Sequence, residues 1–140
     1  FYYYLGSKVP KLTEHKLLIS EFITRMAQDQ FEVEWVKLEW THFQKDYHLR
    51  PDAFIKFRYV NDEFYILLEV DSSKKFTNDD KYLKLFTDRK NSTEIQEILP
   101  YGPILIVSLC KTKPESSKVD PVWISTDFSN FSNLKYQFLK

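Results

Sequence analysis

The sequence predicts an α/β domain in which a mixed central sheet is flanked by helices. Segments with helical periodicity lie before and after a group of strand-like runs. Two of these runs, residues 52–60 and 63–71, are separated only by Asn61-Asp62 and therefore predict an antiparallel hairpin. A later run, PILIVSLCK at 103–111, is apolar almost throughout, as expected for a central strand covered on both faces.

The first long helix is predicted over residues 12–30, after an aromatic, strand-like run at 1–10. Apolar residues recur there at spacings of three and four, and Thr13 suits the N-cap. The stripe consists of Leu18, Ile19, Phe22, Ile23 and Met26. Residues 31–40 then alternate in a way that predicts a strand, and the polar segment 41–48 predicts a loop that leads into the hairpin.

The second long helix is predicted over residues 77–90, with Tyr82, Leu85 and Phe86 on its apolar face. Residues 92–99 predict a short helix that Pro100 ends. After the apolar strand, the segments PVWIS and LKYQFLK predict a short strand and a terminal helix. The order is therefore helix, three strands, helix and strand, followed by weaker elements, which suits a sheet covered by helices.

Size and charge limit the classes of function. A chain of 140 residues with 43% apolar residues has the size and core of one domain. Its formal net charge is zero, whereas a domain that binds nucleic acid through phosphates usually has a basic excess, so any DNA contact needs a local patch or a neighbouring domain. No apolar run approaches the roughly 20 residues that cross a bilayer, and the lone Cys110 suits a reducing cytosol. We therefore expect a cytoplasmic protein without membrane contact.

Acidic residues lie where the predicted hairpin strands leave the core. With Asn61-Asp62 as the turn, Asp52 faces Asp71 and Phe54 faces Glu69. Because side chains alternate between faces, the three carboxylates then project from one side of the sheet. Such a group repels itself unless a cation lies within it, and carboxylate oxygens suit Mg²⁺ or Mn²⁺. The alternative interpretation is three surface acids at a frayed strand end.

Several segments in a fixed order point to a family. LRPDAFIKF, FYILLEVDSSKK, DKYLKLF and PILIVSL follow one another, after the helix TEHKLLISEFITRM. In this order they resemble the nuclease-like region of the plasmid replication-relaxation family and, more distantly, the PD-(D/E)XK nuclease superfamily. The resemblance implies a restriction-endonuclease-like core (helix, three strands, helix, strand) in a single domain over residues 1–140. YYYLG resembles the exit strand of the winged-helix domain that usually precedes this region, so residues 1–10 are expected to be its end.

The resemblance also implies roles for acidic residues. Asp52 matches the motif aspartate at the start of the second core strand. Glu69 matches the acidic member of the (D/E)-x-K element. Glu14, or less closely Glu21, matches the glutamate of the first helix. With Asp71, the first two are the expected ligands of Mg²⁺ or Mn²⁺, and the implied function is DNA cleavage in replication or relaxation of a plasmid or similar mobile element.

The departure from the family pattern falls on Asp71, which stands where an active nuclease has its lysine. That lysine orients the attacking water or stabilises the transition state. Lys81 is the expected substitute, ahead of Lys74 and Lys75. Without a substitute, the resemblance implies an inactive scaffold that serves DNA binding, protein contacts or a homodimer.

Basic side chains predict where DNA would be contacted. The candidates are Lys56, Arg58, Lys74, Lys75 and Lys84. Lys56 and Arg58 either contact the DNA backbone or charge an exposed strand against edge pairing. His42 and His48, before Asp52, are either ligands or surface residues, and His15 is expected to be half-buried on the first helix.

Overall fold

A five-stranded mixed sheet is the centre of the fold in a computed structural model, which describes residues 11–71, 78–100, 102–114 and 118–138. The strands are β1 (Glu32–Leu38), β2 (Ala53–Tyr59), β3 (Asp62–Asp71), β4 (Ile104–Cys110) and β5 (Val122–Ile124). They lie side by side in sequence order. Strand β2 is antiparallel to both β1 and β3, whereas β4 runs parallel to β3 and β5 parallel to β4. The predicted mixed sheet is confirmed.

Five helices cover the two faces of this sheet within the described residues. They are α1 (Lys11–Gln28), α2 (Gln44–Tyr47), α3 (Asp79–Arg89), α4 (Thr93–Ile98) and α5 (Ser132–Tyr136). Helices α1 and α5 pack on one face. Helices α2, α3 and α4, together with residues that flank them, pack on the other face. In this part of the chain, none of the helices combines the length and apolarity needed to cross a bilayer.

Apolar periodicity places α1 on the sheet as predicted. Phe22 and Met26 are fully buried, and the Phe22 ring meets Phe131 edge to face at 5.5 Å. Phe131 precedes α5, so the C-terminal residues complete the core on the α1 face. On the opposite face, Tyr82 and Leu85 of α3 pack against the sheet. The two helices bury the faces that their spacing predicts.

Strand β1 departs from the predicted alternation. Val33 pairs with Phe57, whereas Trp35 pairs with Lys56, so one residue is inserted at Glu34. After this β-bulge, odd-numbered and even-numbered side chains exchange the faces of the sheet on which they lie, because one extra residue has been inserted. Val33 therefore packs on the α1 face and Trp35 on the α3 face, although the sequence alone assigns them to one side.

The turn between β2 and β3 lies one residue earlier than predicted. Val60 and Asn61 occupy it with φ angles of 48° and 70°, as the type I′ turn requires. Phe54 consequently pairs with Leu67, and Ala53 with Leu68. The predicted facing pairs, Phe54 with Glu69 and Asp52 with Asp71, are therefore wrong. The register moves by two residues along the partner strand, which leaves every side chain on its predicted face.

A short helix also appears where the sequence predicts only a loop. Helix α2 forms a single turn that ends at Tyr47, and the following residue, His48, caps it with a left-handed φ angle of 55°. Its flanking residue Phe43 is buried against Trp40. This packing fixes the segment that leads into β2.

Candidate acidic site

The candidate site lies at one end of the sheet, between β2 and β3. Because these strands are antiparallel, the first residues of β2 and the last residues of β3 lie side by side at the same end of the sheet. Ala53 pairs with Leu68, so Asp52 comes next to Glu69. We call Asp52 and Glu69 the acidic pair. The sequence prediction that these two side chains share one edge agrees with this register.

Asp52 is fixed by the backbone of the neighbouring strand. Its own N–H donates to the carbonyl oxygen of Leu68 at 2.9 Å, and its Oδ2 accepts the N–H of Val70 at 2.7 Å. Its Oδ1 lies 3.9 Å from Nδ1 of His15, an ion pair only when the imidazole is protonated. The side chain keeps 28% of its exposure, so one side remains accessible to solvent.

Glu69 is held by the beginning of α3. Its Oε1 accepts a hydrogen bond of 2.6 Å from the Tyr82 hydroxyl and one of 3.2 Å from Asn78 Nδ2. Tyr82 is fully buried, so its hydroxyl has to find a partner inside the protein. The carboxylate is thus satisfied by protein donors on the side that faces the α3 layer.

Burial dominates the electrostatics of the acidic pair. It raises the pKa of Asp52, and the charge of Asp71 acts in the same direction, against the Val70 N–H, His15 and Arg50. It also raises the pKa of Glu69, and the charge of Asp52 adds to this effect. The hydrogen bonds of Glu69 and the positive charge of Lys81 oppose the increase. Each carboxyl therefore holds its proton to higher pH than in water.

A metal ion is not well matched by these side chains. Across the described ranges, no three His, Cys, Asp or Glu side chains are grouped so that they could hold one, and Asp52, Glu69 and Asp71 all lie within those ranges. The third predicted ligand, Asp71, pairs with Cys110 at the end of β3 and is half-buried. The acidic pair itself is already engaged by Val70, Asn78 and Tyr82. The requirement for Mg²⁺ or Mn²⁺ stays a prediction.

Comparison with known proteins adds no further assignment at this point. No family model, curated protein or solved structure matches the chain. The geometry of the acidic pair and its surroundings is therefore the basis for a functional proposal.

Lysines predicted near the site are placed unequally. Lys81 of α3 is exposed, donates to the His48 carbonyl oxygen at 3.4 Å, and acts electrostatically on Glu69. Lys84, one turn further along, lies with its Nζ 5.6 Å from the centre of the Tyr47 ring. Lys74 and Lys75 fall outside the described residues. Lys81 is therefore the described lysine whose charge reaches the acidic pair.

Lys56 and Arg58 lie toward the other end of the hairpin and take part in an ion-pair network. Lys56 Nζ lies 3.2 Å from Glu34, and Arg58 lies 3.0 Å from Glu63. Lys56 also lies 3.7 Å from Glu63, and Arg58 lies 3.3 Å from Glu34. Their charges are thus largely compensated within the sheet, which weakens their candidacy as DNA contacts.

The remaining candidates of the first helix separate in space. Glu14 is exposed on α1, and Glu21 forms an ion pair of 2.7 Å with Arg25 one turn away. Between them, His15 is half-buried and faces Asp52, and its Nε2 is buried without a hydrogen-bond partner among the described residues. Of the predicted acids and histidine on this helix, His15 is the one that the fold brings to the acidic pair.

Aromatic side chains of β1 and of the loop after it contact one another or the sheet. Trp40 is buried and stacks on Phe54 with ring centres 4.4 Å apart, and His42 contacts the edge of Trp40. Trp35 is half-buried and lies beneath Lys37 Nζ at 4.6 Å.

The donors to Glu69 were not predicted as site residues. Asn78 and Tyr82 belong to the predicted helix 77–90, where the sequence pattern places Tyr82 on the apolar face and indicates no polar role for it. The sequence does contain one indication of this contact, which is a tyrosine and not a phenylalanine on the apolar face of the helix. A buried hydroxyl requires a hydrogen-bond partner, so Tyr82 predicts a polar group beneath the helix.

Proposed function

We propose that this chain is a nuclease-like domain that associates with DNA in the replication or relaxation of a plasmid or similar mobile element. The observation that carries the proposal is the adjacency of Asp52, at the start of β2, and Glu69, near the end of β3. The succession of α1, three strands, α3 and β4 gives further support, because the family resemblance implies this order for a restriction-endonuclease-like core.

Between the two forms of this function, the geometry favours DNA binding without hydrolysis. Asp71 stands where an active nuclease has lysine, and Oε1 of Glu69 already accepts two hydrogen bonds from the protein. A carboxylate held in this way gives up good contacts when it turns to a cation. We therefore propose a domain that holds DNA, with the acidic pair as part of its scaffold, and assign no reaction step to a metal ion.

Metal-dependent cleavage is the second candidate, and one observation favours it. The charge of Lys81 is near enough to lower the pKa of Glu69, so a lysine from α3 stands in the region where the missing motif lysine would act. On this alternative, Asp52 and Glu69 would hold Mg²⁺ or Mn²⁺, which would supply Lewis-acid chemistry at a phosphate, and Lys81 would place a positive charge beside it.

Two measurements on the same protein separate these forms. We expect fluorescence anisotropy with a labelled duplex to give equal affinity in EDTA and in Mg²⁺, both for the wild type and for Asp52→Ala. Cleavage instead predicts Mn²⁺-dependent nicking of supercoiled plasmid that Asp52→Ala abolishes. Asp62→Ala is the matched control, because Asp62 is an exposed carboxylate at the other end of β3. A wild-type protein that binds no DNA in either buffer contradicts both forms.

A further inference from the structure

A groove runs between α1 and strand β1 and ends at Asp52, one member of the acidic pair. It consists of two adjoining cavities with volumes of about 450 Å³ and about 250 Å³. Lys16, Ile19 and Leu38 line both cavities and therefore connect them. The smaller cavity ends at Arg50 and Asp52. The groove thus leads along the helix to the edge of the sheet where the candidate site lies.

Two cations along this groove are available to a ligand. Lys16 and Arg50 are both exposed, and neither forms an ion pair with a carboxylate of the described residues. This distinguishes them from Lys56 and Arg58, which are compensated by Glu34 and Glu63. Exposed cations that make no direct ion pair remain accessible to an incoming anion, although the charge of Arg50 also acts on Asp52.

The other groups that line the groove set its chemistry. Glu39 and Asp52 are the carboxylates of the smaller cavity, and Asp52 is held by the N–H of Val70 and faces His15. The walls of the larger cavity are mainly apolar, and Leu38 there is 52% exposed. The groove therefore combines two exposed cations, two carboxylates and a mainly apolar wall.

We propose that this groove receives DNA, with backbone phosphates held by Lys16 and Arg50. The inference rests on the DNA-associated function proposed above and assigns its binding surface to α1 and the start of β2. It replaces the hairpin cations Lys56 and Arg58 as the expected contacts. Arginine suits this role because its guanidinium can bind two phosphate oxygens at once, whereas lysine acts as a point charge.

The salt dependence of DNA affinity tests the assignment. Each lost phosphate contact lowers the slope of log affinity against log salt by about 1, whatever the DNA sequence. We expect Lys16→Ala and Arg50→Ala each to reduce the slope by that amount, and the double variant by about 2. Lys90→Ala removes the same charge from an exposed position at the end of α3 and serves as the matched control. Arg58→Ala tests the competing surface on the hairpin.

The outcomes are separable. A wild-type protein with DNA affinity whose slope is unchanged in Lys16→Ala and Arg50→Ala overturns the groove assignment and leaves the DNA-associated function standing. The assignment is also overturned if Lys90→Ala reduces the salt slope as much as Lys16→Ala and Arg50→Ala do, or if Arg58→Ala reduces it more. Failure of the wild type to bind DNA overturns both. A polyglutamate peptide that binds as tightly as DNA and weakens in the same variants overturns the assignment in favour of an acidic protein partner.

Discussion

Tyr82 Oη donates a hydrogen bond of 2.6 Å to Oε1 of Glu69, which ties a fully buried ring of α3 to the carboxylate at the sheet edge. We expect Tyr82→Phe to lower the free energy of unfolding by about 1–3 kcal/mol, because Glu69 loses the shorter of its two hydrogen bonds at a fully buried position that water does not reach. The pKa of Glu69 should rise further, since a donor to its charged form is removed. Urea unfolding and NMR titration of the Glu69 side chain measure the two effects.

Tyr47→Phe is the matched control for this change. It removes a hydrogen bond of 2.7 Å to Asp88, but both partners are half-buried, so water can replace the lost hydroxyl and a smaller loss is expected. Equal losses in the two variants would contradict the view that Glu69 depends on protein donors.

The raised pKa of Glu69 predicts the pH dependence of stability. Its ordinary value is 4.5, and in the range above this the folded state binds more protons at Glu69 than the unfolded state. The contribution of this group to the free energy of unfolding therefore falls as pH rises toward neutrality. We expect Glu69→Gln to be more stable than wild type at pH 7, by a margin that shrinks as the pH is lowered toward 4.5.

Denaturant unfolding across this pH range checks the prediction. Glu63→Gln is the control, because Glu63 lies on the same strand but is exposed and paired with Arg58. It should gain no stability at neutral pH. A margin for Glu69→Gln that grows as the pH is lowered would show that the sign is wrong.

The turn between β2 and β3 offers a test of backbone strain. Val60 is β-branched, has a φ angle of 48°, and is 74% exposed, so its side chain gains little from packing there. We expect Val60→Asn to raise the free energy of unfolding by about 1 kcal/mol, since asparagine tolerates the left-handed region. The reciprocal change Asn61→Val should lower it, and thermal unfolding of the pair measures both. A stabilising Asn61→Val would place the turn elsewhere.

Asn130 holds the last strand to the segment that follows it. Its Oδ1 accepts the N–H of Ser125 at 2.7 Å, and its Nδ2 donates to the carbonyl oxygen of Trp123 at 3.3 Å. We expect Asn130→Ala to cost about 1–3 kcal/mol, because the Ser125 N–H loses its partner and the Trp123 carbonyl oxygen loses one of its two donors. Asn133→Ala should cost less, since Asn133 makes only one of these bonds, to the Trp123 carbonyl oxygen at 3.2 Å. Urea unfolding that reverses this ranking would contradict the prediction.

The order of elements could be predicted because long segments repeat one period. The stripe of α1 and the apolar run of β4 each extend over several residues, so single exceptions do not alter the prediction. The bulge at Glu34 could not be predicted, because one inserted residue leaves the local composition of β1 unchanged. The one-turn helix α2 likewise depends on the burial of Phe43, a tertiary contact.

The prediction that Asp52 and Glu69 lie together is correct although the predicted turn is wrong, and the reason is geometric. Moving the turn from Asn61-Asp62 to Val60-Asn61 shifts the facing partner of Asp52 by two residues, from Asp71 to Glu69. A shift by two preserves the face, whereas a shift by one would have separated the carboxylates. The hydrogen bonds that hold the pair come from α3 and the Val70 backbone, and no local pattern encodes such distant partners.

The side-chain amides of Asn130 and Asn133 make the two outer strands of the sheet, β1 and β5, differ from each other. On the β5 side, the carbonyl oxygen of Trp123 is already occupied by side chains of its own chain, so no foreign strand can bond there without displacing them. On the β1 side, the described residues provide no further strand. Pairing of another polypeptide with β5, whether as a useful assembly or as aggregation, is therefore expected to be disfavoured at Trp123.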